Sequence, residues 1–204
     1  EPVELHAIPT DDAQTFNMMQ EADTIGVFQV ESRAQMATLR RFKPANFYDV
    51  AIQVAIVRPG PIVGGLMHPL IRRREKKEAC INLDPEVDGK VRHILERTYG
   101  VVLFQEQMLA LAMELADFSG AEAEELRRAM GFSRNSDRLN RVLMKLRTAM
   151  LAKGCSEALI EKLITSAESF ALYGFPESHA LSFGLLAYAS TYLKAHYPAE
   201  FLAA

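Results

Sequence analysis

Two adjacent arginines, Arg127 and Arg128, close the stretch AEAEELRRAM (121–130), just ahead of Gly131. Neighbours on a helix project about 100° apart, so the pair cannot both join Leu126, Ala129 and Met130 in a core. Two chemistries fit. Cations at a helix C-terminus complement the helix dipole, and from this stretch alone that reading is favoured. The other is a phosphate clamp, because the guanidinium fork matches phosphate oxygens in bidentate geometry. Arg134, beyond Gly131, would enlarge the same positive field.

The other candidates are dispersed. Arg58 follows an apolar run in VRPGP. A charge at the mouth of a buried element needs either a carboxylate, such as Glu31 or Glu106, or a ligand. YGFPESH (173–179) gathers Tyr173, Phe175 and His179 between two helical patterns. An aromatic ring and an imidazole in such a loop could stack on a nucleotide. A plain helix connection, with Phe175 buried and Ser178 or His179 as a cap, is favoured locally. FQEQM (104–108) reads mostly as cap and first-turn chemistry. IRRREKKE (71–78), containing Arg72, Arg73 and Arg74, is the densest basic run. Such runs are mostly solvated faces, and a minority track a nucleic-acid backbone.

No complete active site is visible. Walker, GxSxG and HExxH patterns do not occur. His68, His93, His179, Cys80 and Cys155 lack metal-ligand spacing. Asp11 and Asp12 stand where a helix begins and read as caps. No acidic pair alternates along a clear strand, as a two-metal phosphoryl-transfer centre often requires. A hydrolase built on His179 and Glu177 has no obvious nucleophile or metal beside it.

The elements that must position these residues are helical. Phe16, Met19 and Ala22 share one face of 10–22; Met36, Leu39 and Phe42 share one of 31–42. NFYDVAIQVAIV (46–57) is apolar nearly all round and reads as a buried helix that RPGP ends. Helices are also expected over 91–98, 105–118, 121–130, 137–154 and 156–171, and from 180 and 199 onward. The stripe Leu139, Val142, Leu143, Leu146 and Met150 marks the longest of them. TIGVFQV (24–30) reads as a short strand or extended segment, YGVVLF (99–104) as a second extended stretch, and 76–90 as an exposed loop. The expected class is mainly α, with at most a small β element.

The chain has 204 residues, 49% hydrophobic and 24% charged, enough for a core that hides roughly 70% of the unfolded surface. A net charge of −3 excludes a wholly basic coat, so any phosphate contact must come from local clusters. Two cysteines do not make a disulfide framework. The longest uncharged run, 180–193, is too short and too rich in Ser, Thr and Gly to span a bilayer. A soluble, cytoplasmic protein without membrane partners is expected. A start without Met and a stop inside an apolar pattern suggest a piece of a longer polypeptide.

Together, TIGVFQVESRAQM, VAIVRPGP, ERTYGVVLFQEQM, ELRRAMG and YGFPESHALSFGLLAYASTYLKAHYPAEF resemble, in order, the α subunit of bacterial DNA polymerase III. IVRPGPI, HPLIRRR and YGFPESHALSF are closer to its second, error-prone form. The resemblance implies a helical fingers domain over 31–204, with 1–30 as the palm-to-fingers connection, truncated at both ends of a longer chain. It implies that the metal-binding aspartates, and the Mg2+ they hold, belong to the palm upstream. It further implies that Arg127 and Arg128 contact the triphosphate of an incoming dNTP, with Arg58 nearby. Tyr173 and His179 would then line its base and sugar, His179 screening against a ribose 2′-hydroxyl. GFSRN departs from the lysines that usually follow RRAMG in the replicative subunits. Primer-template DNA, the other polymerase domains, the sliding clamp and mutagenesis accessory proteins are the implied partners. The alternative is a helical nucleic-acid-binding or protein-interaction module without nucleotide binding, motivated by the basic run at 71–77.

Overall fold

A computed structural model describes residues 3–57, 63–77, 85–131 and 136–204, excluding the side chains of 63–68, 85, 86, 88, 136 and 171–173. Among the described residues every regular element is a helix. They fall into two compact units, Glu1–Val63 with Glu177–Ala204, and Gly64–Pro176.

The first unit is built from α1 (Ala13–Gln20), α2 (Arg33–Phe42), α3 (Phe47–Ile56), α10 (Glu177–His196) and α11 (Pro198–Ala203). Side-chain caps start three of them. Asp12 accepts from the Thr15 amide, Ser32 from Gln35 and Asn46 from Asp49, satisfying amides that no helix turn can reach. As the apolar pattern predicts, α3 is buried from Asp49 through Ile56. The nitrogen of its buried amide is paired, Gln53 Nε2 donating to Gln35 Oε1 at 2.6 Å, while Gln53 Oε1 has no hydrogen-bond partner among the described residues. Against α3 runs α10, whose inner face is small at the crossing. A Cβ on Gly184 would lie 3.3 Å from the Ala51 backbone. Tyr188 anchors the other end of that face. Its hydroxyl donates to Pro9 O at 2.8 Å and accepts from the Asp12 amide at 2.9 Å, while its ring packs on Phe16 and Phe47. Burial pushes the Tyr188 phenol up, away from ionisation.

Residues 24–30 do not form a strand. Gly26 and Gln29 adopt positive φ (77° and 66°), and successive turns link Val27 to Thr24 and Val30 to Val27. The Thr24 hydroxyl closes the curl on Val30 O at 2.7 Å. Val27 and Val30 are both fully buried. Their i,i+3 spacing fills a core from a turn, whereas a strand would expose one of them.

The second unit comprises α4 (Val63–Arg74), α5 (Pro85–Leu95), α6 (Gln105–Ala116), α7 (Gly120–Gly131), α8 (Ser136–Ala152) and α9 (Glu157–Tyr173). One core joins Leu95 of α5, Met108 and Leu111 of α6, Leu126 and Met130 of α7, Leu146 and Met150 of α8, and Leu159 and Phe170 of α9. The α8 stripe read from the sequence is buried at Val142, Leu143, Leu146 and Met150. Two differences stand out. α5 begins at Pro85, inside the expected loop, with proline at a helix start where its missing amide costs nothing. α4 forms across HPLIRRR despite Pro69, with Leu70 and Ile71 fully buried. Residues 101–103 form no regular element, and the turn before them carries positive φ at Tyr99 and Gly100.

Candidate functional site

A box closes the start of α7: the Ser119 amide and hydroxyl donate to Glu122 Oε2 at 2.7 and 2.8 Å, and the Glu122 amide donates back to Ser119 Oγ at 3.4 Å. Glu122 also pairs with Lys145 of α8 at 2.6 Å. These partners, the lysine first, hold its carboxyl down to about 2. At the other end Leu126, Ala129 and Met130 are buried, so the helix turns Arg127 and Arg128 to the opposite, solvent-facing side. Their side chains are 51% and 58% exposed.

Both arginines meet one carboxylate. Arg127 donates through Nε and Nη2 to the two oxygens of Glu124 at 2.7 and 2.8 Å, and Arg128 Nε donates to Oε1 at 2.8 Å. The Arg127 hydrogen bonds, then that of Arg128, hold Glu124 at about 2, and Glu124 raises Arg127 further above its ordinary value. The two guanidiniums share the Glu124 carboxylate, the Glu106 carboxylate also acts on Arg127, and the pair is preorganised on a helix whose far side is core. The ExxRR spacing that builds it, i,i+3 and i,i+4, was available in the sequence.

The remaining candidates are placed differently. Arg58 and Arg134 lie outside the described residues, as does Cys80. Of Tyr173 only the backbone is described, as the last residue of α9. His179 does not sit in a loop. Only 174–176 separate α9 from α10, and His179 lies in the first turn of α10. It is exposed, edge-on to Phe183 with ring centres 4.0 Å apart, and Phe183 in turn lies 5.4 Å from Phe28. Glu177 accepts from the Tyr48 hydroxyl at 2.5 Å, tying the start of α10 to α3.

Two motifs that are far apart in sequence meet in the second unit. The Gln105 amide donates to Phe175 O at 3.2 Å. A Cβ on Gly174 would fall inside the Gln105 side-chain amide and 2.8 Å from Phe170 O, so only glycine fits there. Of the basic run, Arg72 is exposed. Arg73 donates to Tyr99 O at 2.9 Å, while Arg74 donates to the Tyr99 hydroxyl and lies over its ring. Those two cations hold α4 to the turn at Tyr99.

Among the described residues no group of three or more His, Cys, Asp or Glu side chains could hold a metal ion, and no helix is long and apolar enough to cross a membrane.

The bacterial DNA polymerase III alpha subunit finger domain matches residues 1–154, and the chain belongs to that family. It is 50% identical over its whole length to error-prone DNA polymerase 1 of Agrobacterium fabrum, covering 18% of that protein. The error-prone DNA polymerase of Dechloromonas aromatica is 48% identical over 98% of the chain, and that of Pseudomonas syringae pv. tomato 50% over 98%. The chain spans just under a fifth of the length of these relatives.

Proposed function

We propose that this chain is the fingers segment of a bacterial error-prone DNA-directed DNA polymerase, and that it binds the incoming dNTP and closes on the palm. In this reading Arg127 and Arg128 grip the triphosphate, with Arg58 beside them, and Tyr173 and His179 line the base and sugar. Residues 1–30 lead from palm to fingers and 31–204 form the fingers. The observation that carries the reading is the α7 tip: two exposed guanidiniums held by the half-buried Glu124 carboxylate on a core-anchored helix.

The physics suits phosphoryl transfer. Holding and neutralising a triphosphate is mostly a matter of positioning and charge. Arginine forks oriented beforehand by Glu124 lose less freedom when the polyanion arrives, and a more highly charged triphosphate can displace one carboxylate from them. Mg2+ would be held by palm carboxylates outside this chain, where it would polarise the phosphates. Primer-template DNA and the other polymerase domains complete the machine; the sliding clamp and mutagenesis accessory proteins are further partners of the parent.

In the parent polymerase, Arg128→Ala should raise the nucleotide KM or lower kcat on the order of tenfold to a hundredfold, the range of a lost charge-assisted hydrogen bond. Primer-template affinity should stay near that of the unaltered enzyme. Steady-state incorporation kinetics, with DNA binding measured alongside, test this. Unchanged nucleotide kinetics would sink the reading.

A further inference from the structure

The arginines at 72–74 are the expected backbone contact, yet two of them are turned onto Tyr99. A different basic surface lies in the same unit. Between α7 and α8 an open groove of about 470 Å³ is lined by Arg138, Arg141, Val142 and Lys145 of α8 and by Glu125 of α7. Three cations face one acid there.

We infer that this α7–α8 groove is a binding site for the phosphate backbone of a nucleic-acid strand. Arg138, Arg141 and Lys145 follow one another at i, i+3 and i+7, the spacing of a single helix face. They therefore form a row about 10 Å long, the axial rise of roughly three phosphates on one strand of a duplex. A free triphosphate needs cations converging on a point, whereas this row spreads them along a line. Arg141 is the most available of the three. It is exposed, and its Nε donates to a backbone carbonyl, Asp137 O, at 3.3 Å, with no carboxylate partner among the described residues. Lys145 is already held by Glu122 and lies near the Phe118 ring, so its ammonium is positioned before any ligand arrives. Val142 is buried behind them and gives the row a rigid floor. Glu125 on the α7 wall acts on Lys145, so Arg138 and Arg141 carry most of the row's attraction for a strand. Cations spaced along a line for successive phosphates make sequence-independent, salt-sensitive contact the expected mode.

The inference rests on the parent being a DNA polymerase and not on the nucleotide role of Arg127 and Arg128. Its test uses the full-length parent carrying Arg141→Ala, Arg141→Lys, or Arg138→Ala with Arg141→Ala. Binding to primed DNA is followed by fluorescence anisotropy over a series of salt concentrations, and nucleotide KM is measured in parallel. Loss of each arginine should weaken binding at low salt and flatten the slope of log K against log salt by about 0.7–0.9. Arg141→Lys should retain the slope, and nucleotide KM should not move. Arg141 makes no core contact, so its single variant keeps the test informative if the double variant fails to fold. An unaltered slope and affinity would overturn the inference, as would a raised nucleotide KM with unchanged DNA binding, which would make the ligand a free triphosphate. A parent that binds no primed DNA at all would instead defeat the polymerase reading itself.

Discussion

At the scale of single residues, Glu124 decides whether the α7 arginines are structural or available. Its carboxyl is held at about 2 by Arg127 and then Arg128, against an ordinary 4.5. A depressed folded-state value means the interaction is fully present above 4.5 and is lost as pH falls through about 2. Carbon-detected NMR of the Glu124 carboxyl should therefore titrate near 2, and Arg127→Ala with Arg128→Ala should move the midpoint back toward 4.5. All three groups are solvent-facing, so that double variant should melt at nearly the temperature of the unaltered chain. A large drop in melting temperature would make the pair a structural tie. Gln107 behaves in the opposite way. This buried amide accepts from the Leu103 and Phe104 amides at 2.8 and 3.0 Å and donates to Ile94 O at 3.0 Å and Thr98 Oγ1 at 2.8 Å. Gln107→Ala removes the partner of all four groups and should cost about 2–4 kcal/mol in urea denaturation. The FQEQM stretch is thus cap chemistry, as its sequence suggests.

At the scale of elements, the α10–α3 crossing sets where His179 stands. Gly184 meets the Ala51 backbone at a distance where any Cβ needs the neighbour to give way. Gly184→Val should separate the helices and cost about 1–3 kcal/mol of stability, with amide-shift changes in NMR spectra along both α3 and α10. Little change at α3 would mean that the contact is not tight. What was legible here followed period and caps: the all-round apolar α3, the α8 stripe, and the Asp12 cap. What was not legible depended on backbone dihedrals or distant partners. β-branched composition pointed to a short strand or extended segment at 24–30, but positive φ at Gly26 and Gln29 made turns. The glycine and proline of YGFPESH suggested a longer irregular segment, yet only 174–176 lie between the helices. No local signal announces that Gly174 must accommodate Gln105, or that Glu177 answers Tyr48 across 129 residues of chain. The arginine pair stands out in the sequence, whereas Glu124 is one acid among several in AEAEELRRAM until the helix fixes its i,i+3 and i,i+4 pairing.

At the scale of the whole chain, each compact unit carries its own hydrophobic cluster. Phe16, Met19, Val27, Leu39 and Tyr188 belong to the one in the first unit, and Leu95, Leu111, Met130, Leu146 and Phe170 to the one in the second. The first unit is closed by segments from both ends of the chain, so Lys194 of α10 donates to Asp23 Oδ1 at 2.7 Å and to Ile25 O at 3.1 Å. The second unit is continuous in sequence and bears the α7 tip. Protein stability is seldom uniform, and cooperative units open with their own free energies. Met130→Ala removes a fully buried side chain from the second cluster and should cost about 2–5 kcal/mol there. Amide hydrogen exchange should then accelerate across α5 to α9 while protection in α1, α3 and α10 stays near its original level. Equal loss of protection in both sets of helices would show that the chain opens as one unit, and a change in the α7 core would then also disturb the Tyr188 anchor and the His179 turn of α10.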